Sequence, residues 1–458
     1  MPDYYNRLDA DGNLLTGSCC ADTATEHLMM GKLQQDAILW NARKYKIDGF
    51  RFDIMSCTFV RNLQQIQQAL AQLTPAKDGV DGSKIYIYGE GFTFGETANN
   101  ALGVNASQLN LYGNGIGTFN DRLRDGVRGG GPFDDVRVQG FATGLFTDPS
   151  TYTAQGTALL DPRAALLHRS DWIRVGLTGN LRDYSFVDAT GSTITGAQLD
   201  YQGQPTGYTA IPVEAVNYAS VHDNQDLFDA IQLKSAENDT SAMRARRQVL
   251  AMSVVALGQG VPFFMAGDDL LRSKDMDQNS YDSGDWFNKI DWSRLGNNWG
   301  IGLPIASQNN GQWSIEQPLL ADAALKPTAN QIQGTTAAFQ EFLKIRESSG
   351  LFRMATFEEV QKNLTFPNTG NSQVPGLIVM DLNAHGKQAG PYGHVVVLFN
   401  ATNEQQSFTS TVLAGSKLRL HPIQKSSSDS LVRTTTFDQG TGTAVVPGLT
   451  TAVLVSTD

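Results

Sequence analysis

The chain has 458 residues, enough for two or three domains, and its 41% hydrophobic content is enough to build globular cores. A formal net charge of −11 argues against nucleic acid or an anionic membrane as partner and suits a neutral polyhydroxy substrate. The longest strongly apolar run, Val249–Leu257, is too short to span a bilayer. Met1–Asp11 has neither the basic nor the apolar region of a signal peptide, so no address for localisation is visible.

Met1–Thr25 is polar and turn-rich, a loop by composition. Leu28, Leu33, Ala37, Ile38 and Ala42 space as an amphipathic helix over Glu26–Tyr45, and the strand Gly49–Ile54 follows. A second helix, Asn62–Leu73, leads to a second strand, Lys84–Tyr88, and this alternation predicts a parallel sheet. Ile116–Phe119 is a third strand, running into the helix Asp121–Arg128, which Gly129–Pro132 breaks. Residues 133–212 are an irregular Gly-, Thr- and Asp-rich insertion with one helix, Asp161–Gly176. Then come a strand at Ala215–Val221, a helix at Ser241–Leu257, a buried strand at Val261–Met265, a polar loop at Asp268–Gln312 and a closing helix at Thr335–Glu347.

After about residue 352 the pattern turns to short β-branched runs between Gly, Asn and Pro turns: Leu377–Leu382, His394–Asn400, Ser407–Leu413, Lys417–Pro422 and Thr443–Val455. That predicts an antiparallel β domain over residues 351–458 behind an α/β domain over residues 1–350. Three cysteines, Cys19, Cys20 and Cys57, make neither a disulfide framework nor a zinc set. Cys19 and Cys20 read as two buried thiols, with a vicinal disulfide as the alternative.

Three strands end in a carboxylate: Asp53 in DGFRFDIM, Glu90 in IYIYGEGF and Asp223 in NYASVHDNQD. The C-terminal ends of strands are where a (β/α)8 barrel places its chemistry. Acids without a metal-ligand set suit glycosidic-bond cleavage, in which one carboxyl protonates and another attacks. Arg51 and Asp53 are two apart on a strand and share a face, so the guanidinium keeps the carboxylate ionised. Glu90, as an acid, needs surroundings that keep it protonated. His222, read alone, is a core histidine; beside Asp223 it reads as a substrate contact. Gly113, Gly115 and Gly117 have the wrong spacing for a phosphate loop. Asp275, Asp277 and Asn279 begin like an EF-hand loop, but Ser280 and Trp286 stand where Gly and Glu are needed.

Asp3–Tyr5, GSCC at 17–20, TATEH at 23–27, GTFNDRLR at 117–124, DWIRVGLTGNLRDY at 171–184, HDNQ at 222–225, LLRSK at 270–274 and SYDSGDWFN at 280–288 join these segments in order. Together they resemble the pullulanase and limit-dextrinase branch of the α-amylase superfamily. The resemblance implies an α/β fold, a partial (β/α)8 TIM-type barrel of about strands four to eight followed by an antiparallel β-sandwich. Strands one to three, and the Asp-…-Asn-His segment of strand three, would precede Met1. It also implies a starch-debranching hydrolase cleaving α-1,6-glucosidic bonds in pullulan, branched starch or limit dextrins with retention. Asp53 is then the nucleophile, Glu90 the general acid/base and Asp223 the third carboxylate, flanked by Arg51 and His222. Phe92 and Trp286 would offer platforms for sugar faces, and Asn224 or Asp285 would bind hydroxyls. Ser56-Cys57-Thr58 and Phe92 depart from the family's Gly-His-His turn and Glu-Gly-Trp. No organic cofactor is implied; a structural calcium is compatible. The expected partners are an α-glucan and the missing N-terminal segment. The alternative is a truncated, inactive or complementation-dependent fragment that only binds α-glucan.

Overall fold

The computed structural model describes residues 4–17, 20–152, 161–386 and 389–457; Asp3 and Cys19 therefore lie outside the described residues. Cys20 is exposed, not buried as expected. The chain packs as two compact units, one formed by Met1–Phe119 with Tyr208–Val216, the other by Asn120–Gly207 with Asn217–Asp458.

The first unit begins with helix α1, Leu28–Tyr45, which ends where Lys46 turns left-handed at φ 57°. Strand β1, Gly49–Phe52, follows, then helix α2, Val60–Leu70, and strand β2, Tyr86–Gly89. On α2, Val60, Leu63, Ile66 and Leu70 recur at helical spacing. They meet Ile38 and Ala42 of α1 and Phe52 and Ile87 of the strands in one buried cluster. Strands β1 and β2 are parallel, with Phe52 opposite Gly89, and β3, Gly117–Asn120, runs parallel beyond β2. The expected helix–strand alternation and parallel sheet are therefore present.

In the second unit, helix α3, Asp121–Arg128, starts on Asn120, whose side chain accepts from the Leu123 N–H. Helix α4, Pro162–Leu177, is the one helix expected in the insertion. The insertion is not a loose surface loop: Phe141, Leu145, Arg169 and Arg174 are buried. Strand β4, Ala215–Asn217, of which Ala215 and Val216 belong to the first unit, is shorter than the expected Ala215–Val221. Helix α5, Leu227–Lys234, was not expected; α6, Ser241–Leu257, has its expected bounds, capped by Thr240. Strand β5, Val261–Pro262, is half-buried rather than buried, and the Phe263 N–H donates to Asn217 O at 2.8 Å. Helix α7, Trp313–Ala321, was missed, with Pro318 inside it. Helix α8 spans Ala329–Ser348, starting six residues earlier than expected because Thr328 and Gln331 form a capping box in a polar stretch.

The C-terminal strands form two antiparallel sheets. Strands β6 (Leu364–Thr365), β7 (Leu377–Asn383), β8 (His394–Asn400), β9 (Gln406–Thr409), β10 (Arg419–Leu420), β11 (Thr436–Asp438), β12 (Thr443–Val446) and β13 (Thr450–Ser456) appear in that chain order. The larger sheet runs β6-β7-β8-β13-β10 and the smaller β9-β12-β11. The expected single strand Thr443–Val455 is two strands, broken at Pro447 to Leu449, where Leu449 has φ 45°. Strands β7, β8 and β13 are buried on both faces. Val379, Val396 and Leu454 meet the smaller sheet's Phe408, Ala444 and Val446. Met380, Val397 and Val453 point the other way, into the core shared with α6 and α8. That shared core is why residues 351–458 pack within the same unit as residues 217–350, although composition changes near 352.

Glu316 on α7 is 1% exposed, and neither of its carboxylate oxygens finds a partner among the described residues. Burial, with Asp277 and Asp229 nearby, pushes its carboxyl up to about 8. The unfolded chain ionises near 4.5, so this group withdraws stability as pH rises from about 4.5 to about 8. Glu316→Gln is expected to raise the melting temperature at pH 8 and leave it nearly unchanged at pH 4. Equal shifts at both pH values in calorimetry would show that ionisation of Glu316 is not what limits stability.

Candidate functional site

The first unit brings Arg51, Asp53 and Glu90 together. The parallel register ends with Phe52 opposite Gly89, and the Glu90 N–H donates to Phe52 O at 3.2 Å. Asp53 and Glu90 are thus the first side chains past the paired ends of neighbouring strands. Gly89 allows this approach, since a Cβ there would lie 2.4 Å from Phe52 O. After Asp53 the chain turns through Ile54 at φ 44°. A β-branched residue in that region costs about 1–3 kcal/mol and persists only where its surroundings hold it. Here the Ile54 N–H donates to Glu90 Oε2 at 2.9 Å and the Ser56 N–H to Glu90 O at 3.1 Å.

Arg51 joins the two acids. Its Nη1 lies 2.5 Å from Asp53 Oδ1 and its Nη2 2.6 Å from Glu90 Oε1. The guanidinium also faces the Phe119 ring at 5.9 Å. Two carboxylates brought side by side repel, and one cation between them offsets that repulsion. The Glu90 side chain is 13% exposed and that of Asp53 64%. Phe92 is half-buried two residues beyond Glu90.

The sequence reading missed the residues that hold the loops behind these acids. Arg7 is buried; its Nε bonds Glu26 at 2.7 Å, its Nη1 pairs with Glu96, and its Nη2 donates to Cys57 O at 2.9 Å. The loops leaving Asp53 and Glu90 therefore converge on one guanidinium. Burial, with Asp22 and Glu96 close by, pushes the Cys57 thiol up to about 11, which makes it a poor nucleophile. Arg7, Cys57 and Glu96 are 50 and 39 residues apart in turn, so no local motif announces them.

In the second unit His222, Asp223 and Asn224 share one turn. His222 Nε2 is 3.5 Å from Asp223 Oδ1, and both side chains are exposed. Asn224 has φ 61°, a left-handed turn that Asn tolerates. Lys274, buried, pins the turn: its Nζ donates to Asn224 O at 3.2 Å and lies 3.5 Å from Asp226 Oδ1. The motif LLRSK had drawn attention to Lys274, but not to this role. Asp285 and Trp286 lie apart from that turn in sequence, exposed on the single-turn helix Asp285–Asn288.

The loop that begins like an EF-hand does not fit calcium. Asp275 accepts the N–H groups of Gly300, Ile301 and Gly302 at 2.8 Å each. Asp277 accepts from the Asn279 N–H, Asn309 Nδ2 and Ser283 Oγ. Both carboxylates are turned onto protein donors.

Residues 294–457 match the family model described as "Alpha-1,6-glucosidases, pullulanase-type, C-terminal". Over 99% of its length the chain is 42% identical to the chloroplastic pullulanase 1 of Arabidopsis thaliana and 36% identical to the pullulanase of Klebsiella pneumoniae. It spans about half the length of these curated relatives, 48% and 41% respectively. The crystal structure of the Klebsiella pneumoniae pullulanase as a maltotriose complex aligns with a TM-score of 0.91 at 37% identity, covering 98% of this chain and 47% of that one. The pullulanase of Bacillus acidopullulyticus aligns at 0.68 and 25% identity, covering 99% of this chain and 44% of that one.

Proposed function

This chain is a homologue of pullulanases over nearly its whole length, and on that premise we propose that it carries the catalytic carboxylates of a starch-debranching glycoside hydrolase. The observation that carries this reading is the Asp53–Arg51–Glu90 group at the ends of two adjacent parallel strands. In it, Asp53 attacks the anomeric carbon of an α-1,6-linked glucosyl unit, with Arg51 Nη1, 2.5 Å from its Oδ1, holding the carboxyl in position. Glu90 gives its proton to the leaving oxygen and later takes one from the incoming water. The Arg51 and Ile54 contacts are N–H donors, the complement of a carboxylate, which suits the base step. The acid step needs Glu90 protonated, with the glycosidic oxygen in place of a donor. Double displacement gives retention, for which the two carboxyls stand roughly 5–5.5 Å apart.

Asp223 is the third carboxylate, gripping sugar hydroxyls and favouring the distorted ring, with His222 and Asn224 beside it. Phe92 and Trp286 stack on sugar faces and Asp285 binds hydroxyls. The fold that serves this chemistry is a partial (β/α)8 barrel with an antiparallel β-sandwich behind it. The substrate is an α-glucan, which the net charge of −11 does not repel. The chemistry needs no organic cofactor.

Reducing-sugar release from pullulan, beside linear amylose, tests the specificity. Release from pullulan at least tenfold faster is the expected result. A preference for amylose would assign the chain to α-1,4-bond cleavage instead. The exposure of Asp53 favours a second reading, in which catalysis needs a complementing polypeptide.

A further inference from the structure

One part of the second unit buries more positive charge than it neutralises. Helix α3 packs against α4 and α5, and each of the three carries a buried cation: Arg128, Arg169 and Lys234. Two carboxylates act on them, Asp125 and Asp134. Asp125 is buried but taken: Arg124 Nε lies 2.6 Å from its Oδ1, and the Tyr201 hydroxyl donates to its Oδ2 at 2.6 Å. Asp134 is exposed to water and accepts from the Gly131 N–H at 2.8 Å. Lys234 Nζ donates to Val136 O at 2.8 Å and Val138 O at 3.1 Å, and Arg169 Nη1 donates to Gln139 O. Carbonyl oxygens solvate a cation but carry no net charge to cancel it. Arg128 is 4% exposed, makes no hydrogen bond or ion pair among the described residues, and has a buried Nε without a partner. Burial, with Arg124 nearby, lowers its guanidinium to about 10. Burial, with Arg128 and Arg169 nearby, lowers the Lys234 ammonium to about 7. Like charges held in a low-dielectric interior repel, and a buried charge is costly until it is paired.

We propose that Arg128, with Lys234 and Arg169 beside it, holds a small inorganic anion of halide size at the C-terminal turn of α3. The packing there limits the size of the guest. Gly129 has φ 93°, and a Cβ on it would lie 2.3 Å from Gln139 C and Gly140 N; one on Gly130 would lie 3.2 Å from Val138 Cβ. The turn after α3 is therefore pressed onto the segment whose carbonyls Lys234 and Arg169 hold. An anion supplies the negative charge that this group of cations lacks, and it ties the start of the insertion to α3, α4 and α5. The inference is independent of the catalytic reading of Asp53 and Glu90: the anion supports the fold of the second unit and takes no part in bond cleavage.

The test compares melting temperatures of the full 458-residue chain in sodium chloride and in sodium gluconate, whose anion is too large for the site. Equal ionic strength in the two salts cancels general screening. An ion that binds only the folded chain raises its melting temperature, and chloride well above its dissociation constant is expected to raise it by about 2–4 °C. Arg128→Met should abolish that increment. In gluconate the same variant should melt no lower than the parent, because it removes a buried charge that nothing there neutralises. Lys84→Met, at an exposed side chain, should keep the whole increment. Crystals of the unaltered chain soaked in sodium bromide give a second readout that does not depend on the variant folding: an anomalous peak within hydrogen-bonding reach of the Arg128 guanidinium. Equal melting of the parent in both salts, or an increment that survives Arg128→Met, overturns the proposal. So does an Arg128→Met loss of the same size in both salts, which would make the guanidinium a packing element. Bromide peaks confined to surface lysines overturn it as well.

Discussion

In any preparation that cleaves pullulan, Glu90→Gln is expected to lower kcat by about 10² to 10⁴, the usual contribution of a positioned general acid/base. The amide has nearly the same shape and its oxygen can still accept from Arg51 or from the Ile54 N–H, which hold the carboxylate at 2.6 and 2.9 Å. It cannot donate a proton to the leaving oxygen. The defect should therefore depend on the leaving group: an aryl glycoside with an acidic phenol needs little protonation and should lose far less in its first step. Asp53→Asn should lose at least as much on both substrates, because no leaving group replaces a nucleophile. Equal losses of Glu90→Gln on pullulan and on the aryl glycoside would mean that Glu90 does not act as the acid. Unchanged activity in Asp53→Asn would remove it from the mechanism.

The acids were legible because a parallel β-strand is short, apolar and ends abruptly; Asp53 and Glu90 stand at such ends. Their alignment across neighbouring strands follows from the sheet register, which a strand pattern implies but does not number. The bridge made by Arg51 was half legible. Its shared face with Asp53 follows from the strand period, while its second contact, to Glu90, is set by a neighbour 39 residues away. Arg7 and Lys274 were not legible in these roles, because a buried cation looks like any surface cation until its partners are known. The same limit explains the packing of the C-terminal strands. Their unbroken apolar runs read as strands, but only the structure shows that one face of β7, β8 and β13 serves the helices and the other the second sheet.

The largest stability effect expected in the second unit is at Arg174, which the motif DWIRVGLTGNLRDY contains without announcing its role. Arg174 and Asp171 sit three apart on α4, with side chains 0% and 1% exposed and Nη1 2.5 Å from the carboxylate. Arg174 Nη2 also donates to Asn368 O at 2.8 Å and Gln373 Oε1 at 2.5 Å, tying the insertion to the turn before β7. The Ala189 N–H donates to the other Asp171 oxygen at 2.7 Å. Arg174→Met keeps the bulk but leaves a buried carboxylate without its cation and two acceptors without a donor. Breaking one side of such a pair costs about 3–5 kcal/mol, which corresponds to a fall in Tm of roughly 10 °C. Burial already pushes the Asp171 carboxyl up from its ordinary value. Without Arg174 it rises further, so the variant sheds most of its excess penalty below about pH 4, where the unfolded carboxyl is protonated as well. Adding Asp171→Leu should recover part of the loss at pH 7, because no charge is then stranded. If the two losses simply add in thermal melts, or the Arg174→Met deficit is the same at pH 4 and pH 7, the buried pair is not what holds this turn.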